Sequence, residues 1–178
     1  MAKARVWSEE ECEWLKENIN YSPETGVLTW VNKVAKCVNV GDEAGFLHGT
    51  GYRRVGRRIN RKTVCYLSHR VAWYLSYSDL PEKLDHINRE KCDNRLVNLR
   101  AATSSENSGN MAPYKSNKSG AKGVYMRGDN YISKISISGV NVTLGAFDTI
   151  EEAAKAYDEA AIEQWGEYAY TNKEHGVY

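Results

Sequence analysis

Asp85 and His86 stand side by side in this chain, and side-chain amides return downstream at Asn98 and Asn107. A carboxylate offers a hard anionic oxygen to a divalent ion, and an amide oxygen can serve as a second, uncharged ligand. An imidazole that is neutral near pH 7 can take a proton from water. These are the parts that one-metal phosphodiester cleavage needs: an activated water, a stabilised phosphate and a neutralised departing 3′ oxygen. On this reading Asp85 and Asn107 hold one Mg²⁺ or Mn²⁺, and His86 addresses the water. Neighbouring residues on a regular strand point to opposite faces, so the pair can flank one phosphate only where the strand bends.

The elements that must position these groups can be read around them. A strand after Pro81 ends in Leu84-Asp85-His86, a polar loop follows, and Leu99 to Ala102 returns as a second strand. Thr103-Ser104-Ser105-Glu106 has capping-box spacing and opens a helix carrying Asn107. Upstream, Ser8 and Glu11 form another capping box before a short helix reaching about Asn18. Tyr21 to Gly26 reads as a turn feeding a strand over Val27 to Trp30. Arg53 to Arg58 and Lys62 to Leu67 read as a hairpin, with Ser68 capping a helix over His69 to Tyr77. The stretch from Ser108 to Gly120 has no apolar periodicity and reads as a linker. Beyond it come strands over Gly123 to Arg127, Tyr131 to Ser138 and Val142 to Phe147. A helix from Ile150 then presents a small-residue face of Ala153, Ala154, Ala156, Tyr157, Ala160 and Ala161.

The Asp85-His86-Ile87-Asn88, Asp93 to Arg100 and Glu106-Asn107 segments resemble the HNH nuclease motif, in the phage homing-endonuclease branch where the last His is Asn. Thr25 to Trp30, Gly51-Tyr52 and His69 to Trp73 extend that resemblance. It implies a ββα-metal fold, a metal-dependent DNA endonuclease of homing type, and 5′-phosphate and 3′-hydroxyl ends. It also implies that Asn98 orients the loop and holds His86, although Asp93 and Asn94 compete for that role. One site per chain implies a monomer that nicks, with a dimer an option for double-strand cleavage. The segments Lys122-Gly123-Val124, Leu144 to Phe147 and Glu151 to Asp158 are similar to the AP2/ERF DNA-binding domain. The expected class is therefore α+β: a nuclease module over 1–110, a linker over 111–121, and over 122–178 an AP2-like three-stranded antiparallel sheet packed on one helix.

The formal net charge of +1 conceals a useful unevenness. Gly51 to Ser78 holds seven Lys and Arg and no acid, as suits a face that tracks phosphates. Arg53, Arg54, Arg57, Arg58, Arg61, Lys62 and Arg70 are the expected grip on double-stranded DNA, with Lys115 and Lys118 of the linker suited to a minor groove. Carried over from the AP2 resemblance, the outward sheet residues are Tyr125, Arg127, Lys134, Ser136, Asn141 and Thr143. The acidic helix, with Glu151, Glu152, Asp158, Glu159 and Glu163, is then expected to face water. No apolar run is long enough for a transmembrane helix and the first residues lack a signal-peptide core, so no membrane partner is expected. Cys12, Cys37, Cys65 and Cys92 are scattered without a CxxC pair, which argues against structural zinc and fits a reducing, cytoplasmic setting in a phage-infected host. The alternative class is a DNA-binding, regulatory or inhibitor protein that keeps the nuclease fold without cutting.

Overall fold

The computed structural model describes residues 5–137 and 139–178. The chain forms two compact units, Met1–Ala102 and Thr103–Tyr178.

In the first unit the capping box at Ser8 forms as its spacing predicts and starts α1 (Glu9–Asn18). That helix runs directly into β1 (Ile19–Tyr21), which pairs antiparallel with β2 (Leu28–Trp30). β3 (Phe46–Leu47), β4 (Arg53–Ile59) and β5 (Lys62–Leu67) make a three-stranded sheet with β4 at its centre. Asn60 and Arg61, with φ of 47° and 64°, close the β4–β5 hairpin in two left-handed residues, the geometry that matches strand twist. α2 (Ser68–Tyr77) follows β5 without a loop. Extended Leu67 is therefore its N-cap, and Ser68, expected to cap, lies inside the helix with its hydroxyl buried and unpartnered. Leu15, Leu28, Trp30, Val55, Tyr66 and Val71 form the buried core beneath these elements. β6 (Lys83–His86) pairs with β7 (Leu99–Ala102) in the register Asp85 to Arg100 and His86 to Leu99.

The second unit opens with α3 (Ser104–Gly109), whose Thr103 capping box also forms. By sequence α3 goes with the first module, whereas here it is bound into the second unit. Trp165 donates from Nε1 to Ser105 Oγ at 2.9 Å, and a Cβ at Gly109 would meet the Trp165 ring at 2.8 Å. The presumed linker is likewise stitched down: Asn117 Nδ2 donates to Ala121 O at 2.6 Å and Ser119 Oγ to Val124 O at 2.6 Å. β8 (Val124–Arg127), β9 (Asn130–Ile137) and β10 (Val140–Phe147) form an antiparallel sheet with β9 in the middle. α4 (Ile150–Trp165) packs on it through Ala153, Ala154, Tyr157 and Ala161. Gly123 has φ +72°, and a Cβ there would lie 2.0 Å from the Tyr157 ring, so only glycine lets sheet and helix approach this closely.

Asp158 departs from the water-facing expectation. It is buried and accepts from the backbone of Asn172 at 2.7 Å, the backbone of Lys173 at 3.0 Å and the Tyr178 hydroxyl at 2.8 Å. Asn172 completes the hub, accepting from Lys122 N at 2.6 Å and donating to Lys122 O at 3.1 Å, which ties α5 (Asn172–His175) to the start of the sheet. Among the described residues no helix is long and apolar enough to cross a membrane.

Candidate active site

β6 delivers Asp85 and His86 to its C-terminal end, both buried. Asp85 faces its cross-strand partner Arg100, whose Nε and terminal nitrogen reach Oδ2 at 3.0 and 2.9 Å. Pairing satisfies a carboxylate that would otherwise be costly to bury. Asp85, His86 and Asn98 belong to the first unit, and half-buried Asn107 to α3 of the second.

The loop between β6 and β7 is held by its own polar groups. Asn98 Oδ1 accepts from Asn88 N at 2.9 Å, and its Nδ2 donates to Asp93 O at 2.8 Å. Asp93 takes two bonds from Arg95, at 2.8 and 2.6 Å, and one from Asn88 at 2.7 Å. The Arg95 guanidinium chiefly holds the Asp93 carboxyl down to about 2. Asn98 thus orders the loop, and Asn94 bonds the histidine: its Oδ1 lies 3.1 Å from His86 Nε2. An amide oxygen only accepts, so with the amide in this orientation His86 carries its proton on Nε2 and its lone pair on Nδ1.

Asn94 is itself fixed from outside the motif. The Tyr21 hydroxyl donates to Asn94 O at 2.8 Å, and Leu96 N donates to Pro23 O at 3.0 Å. Gly26, with φ +75°, lets the turn press so close that a Cβ would sit 2.5 Å from Arg95 N and 2.7 Å from Asn94 C. Burial pushes the Tyr21 hydroxyl up to about 12, so it remains a donor across the neutral range. Sequence reasoning took Tyr21 to Gly26 for a plain turn and weighed Asn94 without its buttress. The chemical signal was present in the paired turn residues, but a contact spanning 73 residues is invisible to local pattern.

His69 is buried on α2 with its ring centroid 5.0 Å from that of His86, edge to face. Tyr52 closes the cluster at 5.3 Å from His69 and 6.0 Å from His86. Burial, reinforced by the His86 and Arg70 charges, drives His69 down to about 3. Burial also lowers His86, against opposing pulls from the Asn94 bond and from Asp85 and Asp93. Both imidazoles are therefore neutral at pH 7, the form a general base requires.

The expected basic grip divides by strand register. Arg53 and Arg57 share the face of buried Val55 and are spent internally, on Glu43 at 2.6 Å and Glu10 at 2.7 Å. Arg57 also lies over the Trp14 ring at 5.0 Å. Arg70 is buried and donates to Pro81 O at 3.1 Å, so it is an internal strut rather than a phosphate contact. Arg58, Arg61 and Lys62 are exposed, and Arg54 is half-buried on the opposite face of β4. In the second unit, the register puts Tyr125, Arg127, Lys134, Ser136, Asn141 and Thr143 on one face, opposite the Ile135 side. Lys115 and Lys118 are exposed.

Residues 66–108, which span α2, β6, β7 and most of α3, match the family model of the HNH endonucleases. An uncharacterised HNH endonuclease of Acanthamoeba polyphaga mimivirus is 37% identical over 91 residues, which are 51% of this chain and 46% of that protein. A solved structure of DNA binding and cleavage by the HNH homing endonuclease I-HmuI is similar at a TM-score of 0.41 and 19% identity, over 88% of this chain and 80% of that one.

Proposed function

We propose that this chain is a DNA endonuclease in which neutral His86 is the general base. The observation that carries the reading is the Asn94–His86 bond, which fixes the buried ring with its proton on Nε2, next along β6 to the buried Asp85 and within the matched segment. His86 accepts a proton from water at Nδ1 while Asn94 keeps the ring from turning, and the imidazolium formed is met by the nearby Asp85 charge. Such proton transfer contributes roughly 10²–10⁴-fold.

HNH nucleases generally use a divalent metal ion, and the donor chemistry here fits one. Asp85 and Asn107 offer a carboxylate and an amide oxygen, hard ligands suited to Mg²⁺ or Mn²⁺. Among the described residues no three His, Cys, Asp or Glu side chains cluster to hold a metal. When bound, the ion neutralises charge on the phosphate and the departing oxygen. Arg100 competes for the same carboxylate through Oδ2.

The second unit is read as an AP2-like recognition module whose sheet meets DNA, with Arg54, Arg58, Arg61 and Lys62 gripping phosphates from the first unit. Homing-type site preference, 5′-phosphate and 3′-hydroxyl products, a monomeric state and a cytoplasmic setting in a phage-infected host belong to the same proposal. Incubation of supercoiled plasmid with Mg²⁺ or Mn²⁺ tests it. Metal-dependent conversion to open-circle or linear DNA, stopped by EDTA, is expected. Retarded mobility with the plasmid left intact would favour the non-cutting class instead.

A further inference from the structure

The second unit contains a cavity of about 490 Å³, lined by the 111–117 segment, by outward-facing residues of the sheet and by Tyr157 and Trp165 of α4. Tyr114 and Tyr125, residues that are 74% and 40% exposed, line it, and Lys134 stands 5.8 Å from the Tyr125 ring centroid. Ser136 and Asn141 bring hydrogen-bonding groups to the same space. The lining contains no carboxylate, although Thr103 to Tyr178 holds ten acidic residues against seven basic ones. The acids lie elsewhere in the unit, and aromatic, amide, hydroxyl and cationic groups face the cavity together with Met111, Ala112, Pro113 and Val124.

We infer that this cavity is a binding site for an unpaired nucleobase carried on a single strand of nucleic acid. The inference rests on the reading that the chain acts on nucleic acid, and it changes what the sheet is for. A stacked base pair shows a groove-binding protein only its edges, so it cannot enter a concave site. A base that has left the stack offers a π-face, which tyrosine rings accept whatever the base, and a lysine neighbour favours the attached phosphate. The volume lies within the range of sites that enclose small ligands. Of the six sheet residues expected to read a duplex, Tyr125, Lys134, Ser136 and Asn141 line the cavity, while Arg127 and Thr143 on the same face do not. The first four therefore serve an extruded or single-stranded base, and the last two remain for duplex contact.

The test measures binding of the full chain, with EDTA present, to a short fluorescein-labelled oligothymidylate and to a duplex of equal length. Two variants address the cavity. Tyr114→Ala removes one stacking face, and Ala112→Trp fills the space from an exposed position whose substitution leaves the core untouched. Each is expected to weaken oligothymidylate binding roughly tenfold or more and to leave duplex binding within about twofold. Unchanged oligothymidylate binding in both variants, or equal losses on strand and duplex, overturns the inference. If the unaltered chain binds duplex but no oligothymidylate, the cavity assignment fails and the nuclease reading stands. If it binds neither, both fall.

Discussion

Asn94→Leu removes the side-chain oxygen that meets His86 Nε2 while keeping the volume of the side chain. Asn94 is 3% exposed and its Oδ1 lies 3.1 Å from Nε2, so the variant leaves a buried N–H facing hydrocarbon. An unsatisfied buried donor costs about 1–3 kcal/mol. That cost has two destinations. Part is lost from folding stability, and part allows the ring to rotate or to shift its proton to Nδ1, where the base must be empty. If all of it fell on the competent orientation, cleavage would slow by about 5- to 150-fold. Single-turnover cleavage of plasmid across a pH series measures this directly. Asn94→Asp is the informative companion, because a carboxylate at Nε2 raises the His86 pKa and moves the acidic limb of the profile upward. Should Asn94→Leu cleave at the unaltered rate with an unaltered profile, while His86→Ala is inactive, the orienting argument is wrong.

Other expectations follow from neighbouring contacts. Gly26→Ala places a Cβ against the backbone of Asn94 and Arg95 at positive φ, and should cost about 1–3 kcal/mol in urea unfolding and slow cleavage with it. Tyr21→Phe should produce a milder loss of about 0.5–1.5 kcal/mol. His69 titrates near 3 in the folded chain and near 6.5 when unfolded, so its contribution to stability is complete above about pH 6.5. As pH falls towards 3 the unfolded chain takes up a proton that the folded chain refuses, and up to about 4 kcal/mol is lost. His69→Phe should flatten that slope by about one proton, and an unchanged slope would count against the burial argument. Asn172→Leu should destabilise the second unit by about 2–4 kcal/mol, because it strands Lys122 N and unbalances buried Asp158. Hydrogen exchange confined to 103–178 would register it.

Local chemistry made much of this legible in advance. Capping boxes at Ser8 and Thr103 formed because both partners lie within four residues of each other. The alternation of β8 to β10 put six residues expected on one face onto that face, since register follows the pleat. What escaped was set by distance along the chain. Arg53 and Arg57 looked like phosphate ligands until Glu43 and Glu10 came alongside them, and Arg70 until α2 buried it. His69 and Tyr52 looked unrelated to His86 until α2 and the β3–β4 connection brought the three rings together. Asn94 was one of three candidates, and only the Tyr21 turn, pinned by a glycine, singles it out. Ser68 failed as a cap because β5 leaves no loop before α2.

The claim that His86 is the base that activates water is tested most directly by comparing His86→Ala with the unaltered chain on supercoiled plasmid in Mg²⁺, at matched folding by circular dichroism. The account predicts a loss of roughly 10²-fold or more in the cleavage rate. Cleavage by His86→Ala at the parental rate would contradict it.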